Sequence, residues 1–195
     1  MKDLLRSLFI FIIMSLLTGL VYPFIISGIS NVTMPDKARG SLIISKDKVI
    51  GSALIGQYFT NARYFHGRPS ALGKPYDASN SGGSNLGPSN NKFIDDVNKR
   101  IKQARIENVL EHGAFVPADM VLASASGLDP HISVKTAFLQ TARVARARGL
   151  QETTIKKTIS EVEEQHLGGP EIINVLKLNL AVDDLTHRVR PACGE

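Results

Sequence analysis

Residues 7–29 carry no charged side chain, and Leu, Ile, Phe and Val fill most of the stretch. As an α-helix rising about 1.5 Å per residue it spans roughly 35 Å, enough to cross a hydrocarbon core of about 30 Å with modest tilt. A helix inside a soluble core would carry a polar stripe. Here the polar members beyond Ser7 at its start are Ser15, Thr18, Tyr22 and Ser27, types that lipid-embedded helices tolerate. Pro23 is expected to kink the helix or to mark the start of its exit. The competing reading is a cleaved signal peptide, with Lys2 and Arg6 as its charged end and Gly28 and Ser30 before the cut. A signal core is only about 7–15 residues long, so a membrane anchor is expected, and a mature chain beginning at Asn31 would overturn it. The expected organisation is a tail over residues 1–6, a transmembrane helix over 7–29, a linker over 30–40 and one soluble domain over 41–195.

Charge does not orient the helix. Lys2 and Arg6 on one flank stand against Asp3, while Lys37, Arg39, Lys46 and Lys48 follow the other. Large domains cross membranes largely regardless of flanking charge. The net charge of +5 is spread along the chain, with no basic run interleaved with aromatics and no Trp, so nucleic acid is not an expected partner. Cys193 is the only cysteine, which excludes an internal disulfide and a thiolate zinc site.

In the linker, Pro35 is expected to end anything helical. The apolar runs 42–44 and 49–50 around Lys46 and Asp47 predict a small hairpin. Residues 67–91 are rich in Gly, Pro, Ser and Asn, the composition of a solvated loop, and a loop that long is usually functional or disordered. Ser89 or Asn90 then caps a helix reaching about Val109, with Phe93, Ile94, Val97, Ile101 and Ala104 on one face. Residues 115–125 form an apolar segment broken by Pro117 and Asp119. Asp129 and Pro130 read as the cap and first residue of a helix reaching Arg148, with Ile132, Phe138, Leu139, Ala142 and Ala145 inward and Gly149 as its stop. A further helix fits residues 153–165, with Ile155, Ile159 and Val162 inward. Residues 172–182 alternate, Leu176, Leu178 and Leu180 against Lys177 and Asn179, which predicts a half-buried strand. Helices and strands without βαβ alternation place the soluble part in the α+β class.

Four groups of residues invite a chemical reading. Ser81, Gly82, Gly83 and Ser84, just before a helix start, could turn backbone N–H groups toward a phosphate, but the stretch lacks the lysine and spacing of a P-loop, and a tightly turned loop without ligand is the competing reading. Ser126, Asp129 and His131 lie close enough in sequence for a hydrolase to be an alternative. Sequence proximity is not triad geometry, however, and no nucleophile-elbow pattern surrounds the serine. His66, His112, His131, His166 and His187 are scattered without a metal-ligand spacing, so no metal is expected. Arg143, Arg146 and Arg148 follow Gln140. Arg143 and Arg146, three apart, are expected to share a face that is either simply solvated or a docking surface for an acidic partner or a nucleotide phosphate. None of these groups makes an enzyme alone, and the residues by themselves describe a membrane-tethered accessory or binding domain.

Three blocks carry a resemblance. They are GSALIGQYF with YFHGRPSA and PYDASNSGGSNLGPSN (residues 51–90), SGLDPHIS running into RVARARGL (126–150), and NVLKLNLAVD (174–183). With the N-terminal helix they make the chain similar, over nearly its whole length, to the C chains of Kdp-type potassium-transporting ATPases, the KdpC family. The resemblance implies a non-catalytic subunit of the cell membrane, single-pass, with the bulk of the chain extracytoplasmic. Its implied partners are a channel-like potassium-binding subunit (A), a P-type ATPase subunit (B), a small single-helix subunit (F) and the lipid bilayer. It implies a role in assembling the complex and, as a catalytic chaperone, in raising the affinity of the ATPase subunit for ATP. ATP is then the one nucleotide to consider, with Ser81, Gly82, Gly83, Ser84 and Gln140 as its candidate contacts. Potassium is the ion carried by the complex, and no intrinsic cofactor is implied. Candidate partner contacts are Ser15, Thr18 and Gly19, small residues on the membrane helix, together with Arg143 and Arg146. One departure concerns residues 165–173, which look shortened, with Gly169 where the family usually has Glu.

Overall fold

The computed structural model describes residues 1–45, 47–164 and 169–189, the last three by backbone alone. Expectations resting on Lys46, Gln165, His166, Cys193 and the side chain of His187 lie outside the described residues. The chain forms two compact units, Met1–Ser52 and Ala53–Glu195.

In the first unit, α1 (Lys2–Leu16) leads through a π-helical turn (Leu17–Val21) into α2 (Tyr22–Thr33), one helical run of 32 residues. None of its side chains is buried. Helical structure continues past Pro23 to Thr33. Proline lacks the N–H that a regular turn would direct to the carbonyl four residues back, at Gly19. The π turn immediately before it is the local adjustment that lets the helix go on. The helix stops at Thr33, and Met34, the residue before Pro35, leaves helical geometry as X-Pro sterics require. Pro35 then opens a short helix, α3 (Pro35–Ala38), at the position where its missing N–H costs nothing. The expected hairpin follows: β1 (Leu42–Ser45) pairs antiparallel with β2 (Lys48–Ser52), with a register shift between Ile43 and Ile44.

The second unit begins with a segment that is neither helix nor sheet, residues 53–90. Helix α4 (Asn91–Asn108) is capped by Asn90, whose side chain accepts from the N–H groups of Lys92 and Phe93. After a short helix, α5 (Ala118–Val121), come β3 (His131–Ser133), α6 (Val134–Arg148), α7 (Glu152–Val162), β4 (Ile172–Asn174) and α8 (Val175–Val189). Strands β3 and β4 pair antiparallel, placing Ile132 opposite Ile173, and both isoleucines are buried. The core gathers Phe65, Ile132, Ala137, Val144, Ile155, Ile159, Ile173, Leu178 and Val182. An N-terminal apolar helix followed by an α+β domain is the fold class the sequence predicts.

Two expectations of local structure are overturned. Residues 175–189 are a helix, not the continuation of a strand. Val175, Leu178, Asn179 and Val182 lie one helical turn apart and are all buried, so the inward stripe includes an asparagine that alternation placed outside. Residue 130 does not open a helix either. Asp129 accepts from the His131 N–H at 3.0 Å in a local turn, the chain runs as β3, and Ser133 caps α6 by accepting from Thr136 N–H at 3.2 Å. Asp119, in the first turn of α5, completes that cap, accepting from Ser133 N–H at 2.6 Å and from the Thr136 hydroxyl at 2.7 Å. Phe138, expected inward, is 39% exposed, while Gly149 ends α6 in left-handed geometry as expected.

Candidate functional site

The three sequence blocks meet around one feature. Residues 53–70 thread through the second unit without a sheet partner, so their buried backbone groups need acceptors and donors from elsewhere. Side chains of α6, of α8 and of Asn174 at the end of β4 supply them. Asn179 accepts from Phe65 N–H at 2.7 Å and donates to Phe65 C=O at 3.0 Å. Gln140 treats the next residue the same way, accepting from His66 N–H at 2.8 Å and donating to His66 C=O at 3.1 Å. Each carboxamide thus imitates a neighbouring strand for one residue. Asn174 donates to Ala53 C=O, Arg143 to Ala62 C=O and Tyr64 C=O, and Arg148 to Arg63 C=O. This strap, residues 53–70, belongs to the first block, Gln140, Arg143 and Arg148 to the second, and Asn174 and Asn179 to the third.

This arrangement revises the arginine group. Arg143 is 8% exposed, and its guanidinium also reaches Asn108 and Gln140. Arg148 is buried against Asp183 at 2.7 Å and Thr186, with its guanidinium over the Tyr64 ring. Arg146 is exposed. The shared face expected of Arg143 and Arg146 therefore does not form: Arg143 faces the strap and Arg146 faces solvent. Sequence reasoning missed Asn174, Asn179 and the structural use of Gln140. The available signal was a polar residue on an otherwise apolar helical stripe, Gln140 between Ala137 and Val144, and Asn179 between Val175 and Val182.

The Gly-rich stretch packs against the loop before β3. Gly82 N–H and the Ser81 hydroxyl both donate to Ser126 C=O, at 2.9 and 3.2 Å. A Cβ on Gly83 would lie 3.1 Å from the Ala125 carbonyl oxygen, and one on Gly127 would lie 2.6 Å from Leu72 Cγ. The glycines thus let two loops approach. Ser84 is exposed.

A cleft of about 450 Å³ opens beside the strap, lined among others by Tyr58, His66, Tyr76, Arg100, Glu107 and Gln140. Ser81, Gly82, Gly83 and Ser84 do not line it, so Gln140 and the Gly-rich stretch do not face one cavity. Tyr76 adopts a positive φ of 58°, costly for a bulky side chain, and its hydroxyl donates to Arg68 C=O at 2.7 Å. Burial, with the Asp129 charge beside it, pushes the Tyr76 phenol up to about 12. Burial and then the Arg143 charge hold the His66 imidazole below its ordinary value.

Ser126, Asp129 and His131 do not assemble into a triad among the described contacts. The Ser126 hydroxyl accepts from Leu128 N–H, Asp129 pairs with Arg68 at 3.0 Å, and His131 lies between Asp129 at 3.7 Å and Glu164 at 3.5 Å. Partial burial pushes the Asp129 carboxyl up, but hydrogen bonds from His131 and Arg68 outweigh it and hold the group below its usual range. These contacts fasten the loop 124–130 to the strap. On the membrane helix, Ser15, Thr18 and Gly19 are all exposed, and the Thr18 hydroxyl is satisfied by Met14 C=O at 2.7 Å.

An exposed apolar helix long enough to cross a membrane, the one candidate span among the described residues, followed by an α+β domain whose polar side chains hold its own chain in place, fits the class of membrane-anchored proteins. Comparison with known proteins makes the assignment specific. The family model described as K+-transporting ATPase, c chain (KdpC), matches residues 4–184. The potassium-transporting ATPase KdpC subunit of Koribacter versatilis is 45% identical, covering 93% of this chain and 94% of its own. That of Polaromonas naphthalenivorans is 49% identical over 95% and 96%, and that of Mycobacterium tuberculosis is 44% identical over 94% and 99%. The chain belongs to the KdpC family, the C chains of potassium-transporting ATPases, and is a membrane protein.

Proposed function

We propose that the chain is an accessory, non-catalytic subunit of a high-affinity, ATP-driven potassium uptake complex. It is needed to assemble the channel-like potassium-binding subunit (A) with the P-type ATPase subunit (B), alongside the small single-helix subunit (F). Family membership over residues 4–184, joined to a membrane helix without a buried side chain, is the observation that carries this reading. Such a helix has its packing surface free for other helices, and Ser15, Thr18 and Gly19 offer a small-residue strip for close approach. Arg146, exposed where Arg143 and Arg148 are buried, is the member of that group we assign to an acidic partner surface.

In this reading the domain is extracytoplasmic and ATP is cytoplasmic. A catalytic-chaperone effect on the ATP affinity of the ATPase subunit then travels through the helix or through partner conformation. Direct nucleotide contact by Gln140 would require it to release three internal hydrogen bonds, and the N–H of Gly82 is likewise engaged. We therefore assign Gln140, Ser81, Gly82 and Gly83 to shaping the domain, while Ser84 is exposed beside them. The test is a strain lacking this chain and induced for the pump. Growth at micromolar potassium is lost and is restored by the full chain; undiminished growth without it refutes the proposal.

A further inference from the structure

We propose that the β1–β2 hairpin is a membrane-surface element, with the face formed by Leu42, Ile44 and Val49 seated in the headgroup region of an anionic phospholipid bilayer. The inference goes beyond the pump assignment and needs only that the helix of residues 2–33 crosses a membrane.

The face follows from the register. Leu42 and Ile44 are two apart on β1, and Val49 pairs with Ile44 across the ladder, so all three point to one side. They are 48%, 64% and 60% exposed. A two-stranded hairpin is marginal without a cover, and three aliphatic side chains on its outer face call for one.

The tether and the charge say what the cover is. The membrane helix ends at Thr33, and α3 closes with Ser41 N–H donating to Asp36 C=O at 2.9 Å and Gly40 N–H to Lys37 C=O at 3.0 Å. The Ser52 hydroxyl donates to Gly40 C=O at 2.7 Å, so both ends of the hairpin are held at the turn that follows the membrane exit. Along the chain, only the last turn of α2 (residues 30–33), the one-turn helix α3 and this bend lie between the charge-free run and the hairpin. Lys37 and Arg39 in the segment before the hairpin are exposed, as is Lys48 on the opposite side of the ladder from Val49, and with Lys46 the sequence places four cations against Asp36 and Asp47. Juxtamembrane cations are drawn to anionic headgroups, and aliphatic residues beside lysines are the composition of interfacial elements.

The chain has no tryptophan, so Ile44→Trp and, separately, Val49→Trp each introduce the only indole. The full chain is reconstituted alone into vesicles of phosphatidylcholine and phosphatidylglycerol with brominated acyl chains. Phe24→Trp in α2 sets the fully embedded limit. Both hairpin variants are expected to show blue-shifted emission, to lose a large share of it to the brominated lipid and to resist aqueous iodide, with weaker quenching when phosphatidylglycerol is omitted. Iodide quenching without lipid quenching in both variants overturns the proposal. So does protection from iodide that arises only when the other pump subunits are co-reconstituted, because that assigns the face to a protein partner.

Discussion

Replacing Gln140 by Ala tests whether this side chain holds the strap. Gln140 is 1% exposed, and its carboxamide meets His66 N–H, His66 C=O and an Arg143 nitrogen, at 2.8, 3.1 and 2.7 Å. The substitution leaves those three groups without their partner. A buried group left unsatisfied costs about 1–3 kcal/mol. Because His66 lines the open cleft, water recovers part of that cost, and a net loss of about 2–4 kcal/mol is expected. With a urea slope of about 2 kcal/mol/M, the unfolding midpoint falls by roughly 1–2 M. The assay is urea unfolding of the full chain in detergent, followed by the near-ultraviolet dichroism of its tyrosines, with hydrogen exchange at the His66 amide as the local reading. Gln140→Glu keeps the acceptor for His66 N–H and gains a charge pair with Arg143 but sets a carboxylate oxygen against His66 C=O, so it is expected to fall between parent and Gln140→Ala. An unchanged midpoint with a protected His66 amide in Gln140→Ala would refute the reasoning. If, in addition, only nucleotide affinity changed, the side chain would face a ligand.

Other expectations follow from the same contacts. Arg148→Met removes a fully buried guanidinium from Asp183, which is itself 31% exposed, and should cost about 3 kcal/mol, toward the low end for a broken buried pair, as read by the same unfolding assay. Gly127→Ala forces a side chain onto a φ of +70° within 3.0 Å of the Gly82 carbonyl oxygen and should cost about 1–3 kcal/mol. Gly87→Ala, which meets nothing within 4 Å, should stay within about 0.5 kcal/mol. The folded chain resists protonating His66, whose pKa lies below its ordinary 6.5, while the unfolded chain takes up that proton near 6.5. Stability is then full above pH 6.5 and falls as pH drops below it, and His66→Phe should flatten that slope in a titration of the unfolding midpoint.

The parts of the fold legible in the sequence are those with long, uniform signals. The charge-free run became a continuous helix, Asn90 capped α4, Gly149 stopped α6, and Ile155 and Ile159 faced the core. Strands β3 and β4 are three residues each, too short for a period to register, and their neighbour α8 was hidden by an accidental alternation of Leu with Lys and Asn. The strap was invisible for a different reason. Asn179 and Phe65 are 114 positions apart, Gln140 and His66 are 74 apart, and a side chain standing in for a strand leaves no local pattern. Arg143 was misplaced because burial of a guanidinium depends on carbonyls from Ala62 and Tyr64, which spacing within one helix does not reveal. The resemblance had singled out the same three blocks, and the contacts supply a physical reason for them: one block is the strap and the other two hold it.

The most direct test of the account is purification of the pump from potassium-starved cells through a tag on this chain, with and without residues 1–34. The intact chain should bring down the channel-like and ATPase subunits together, and the truncated chain should come down alone. Recovery of both subunits on the truncated chain would contradict a complex held through the membrane helix, and recovery of neither on the intact chain would contradict the assignment as a pump subunit.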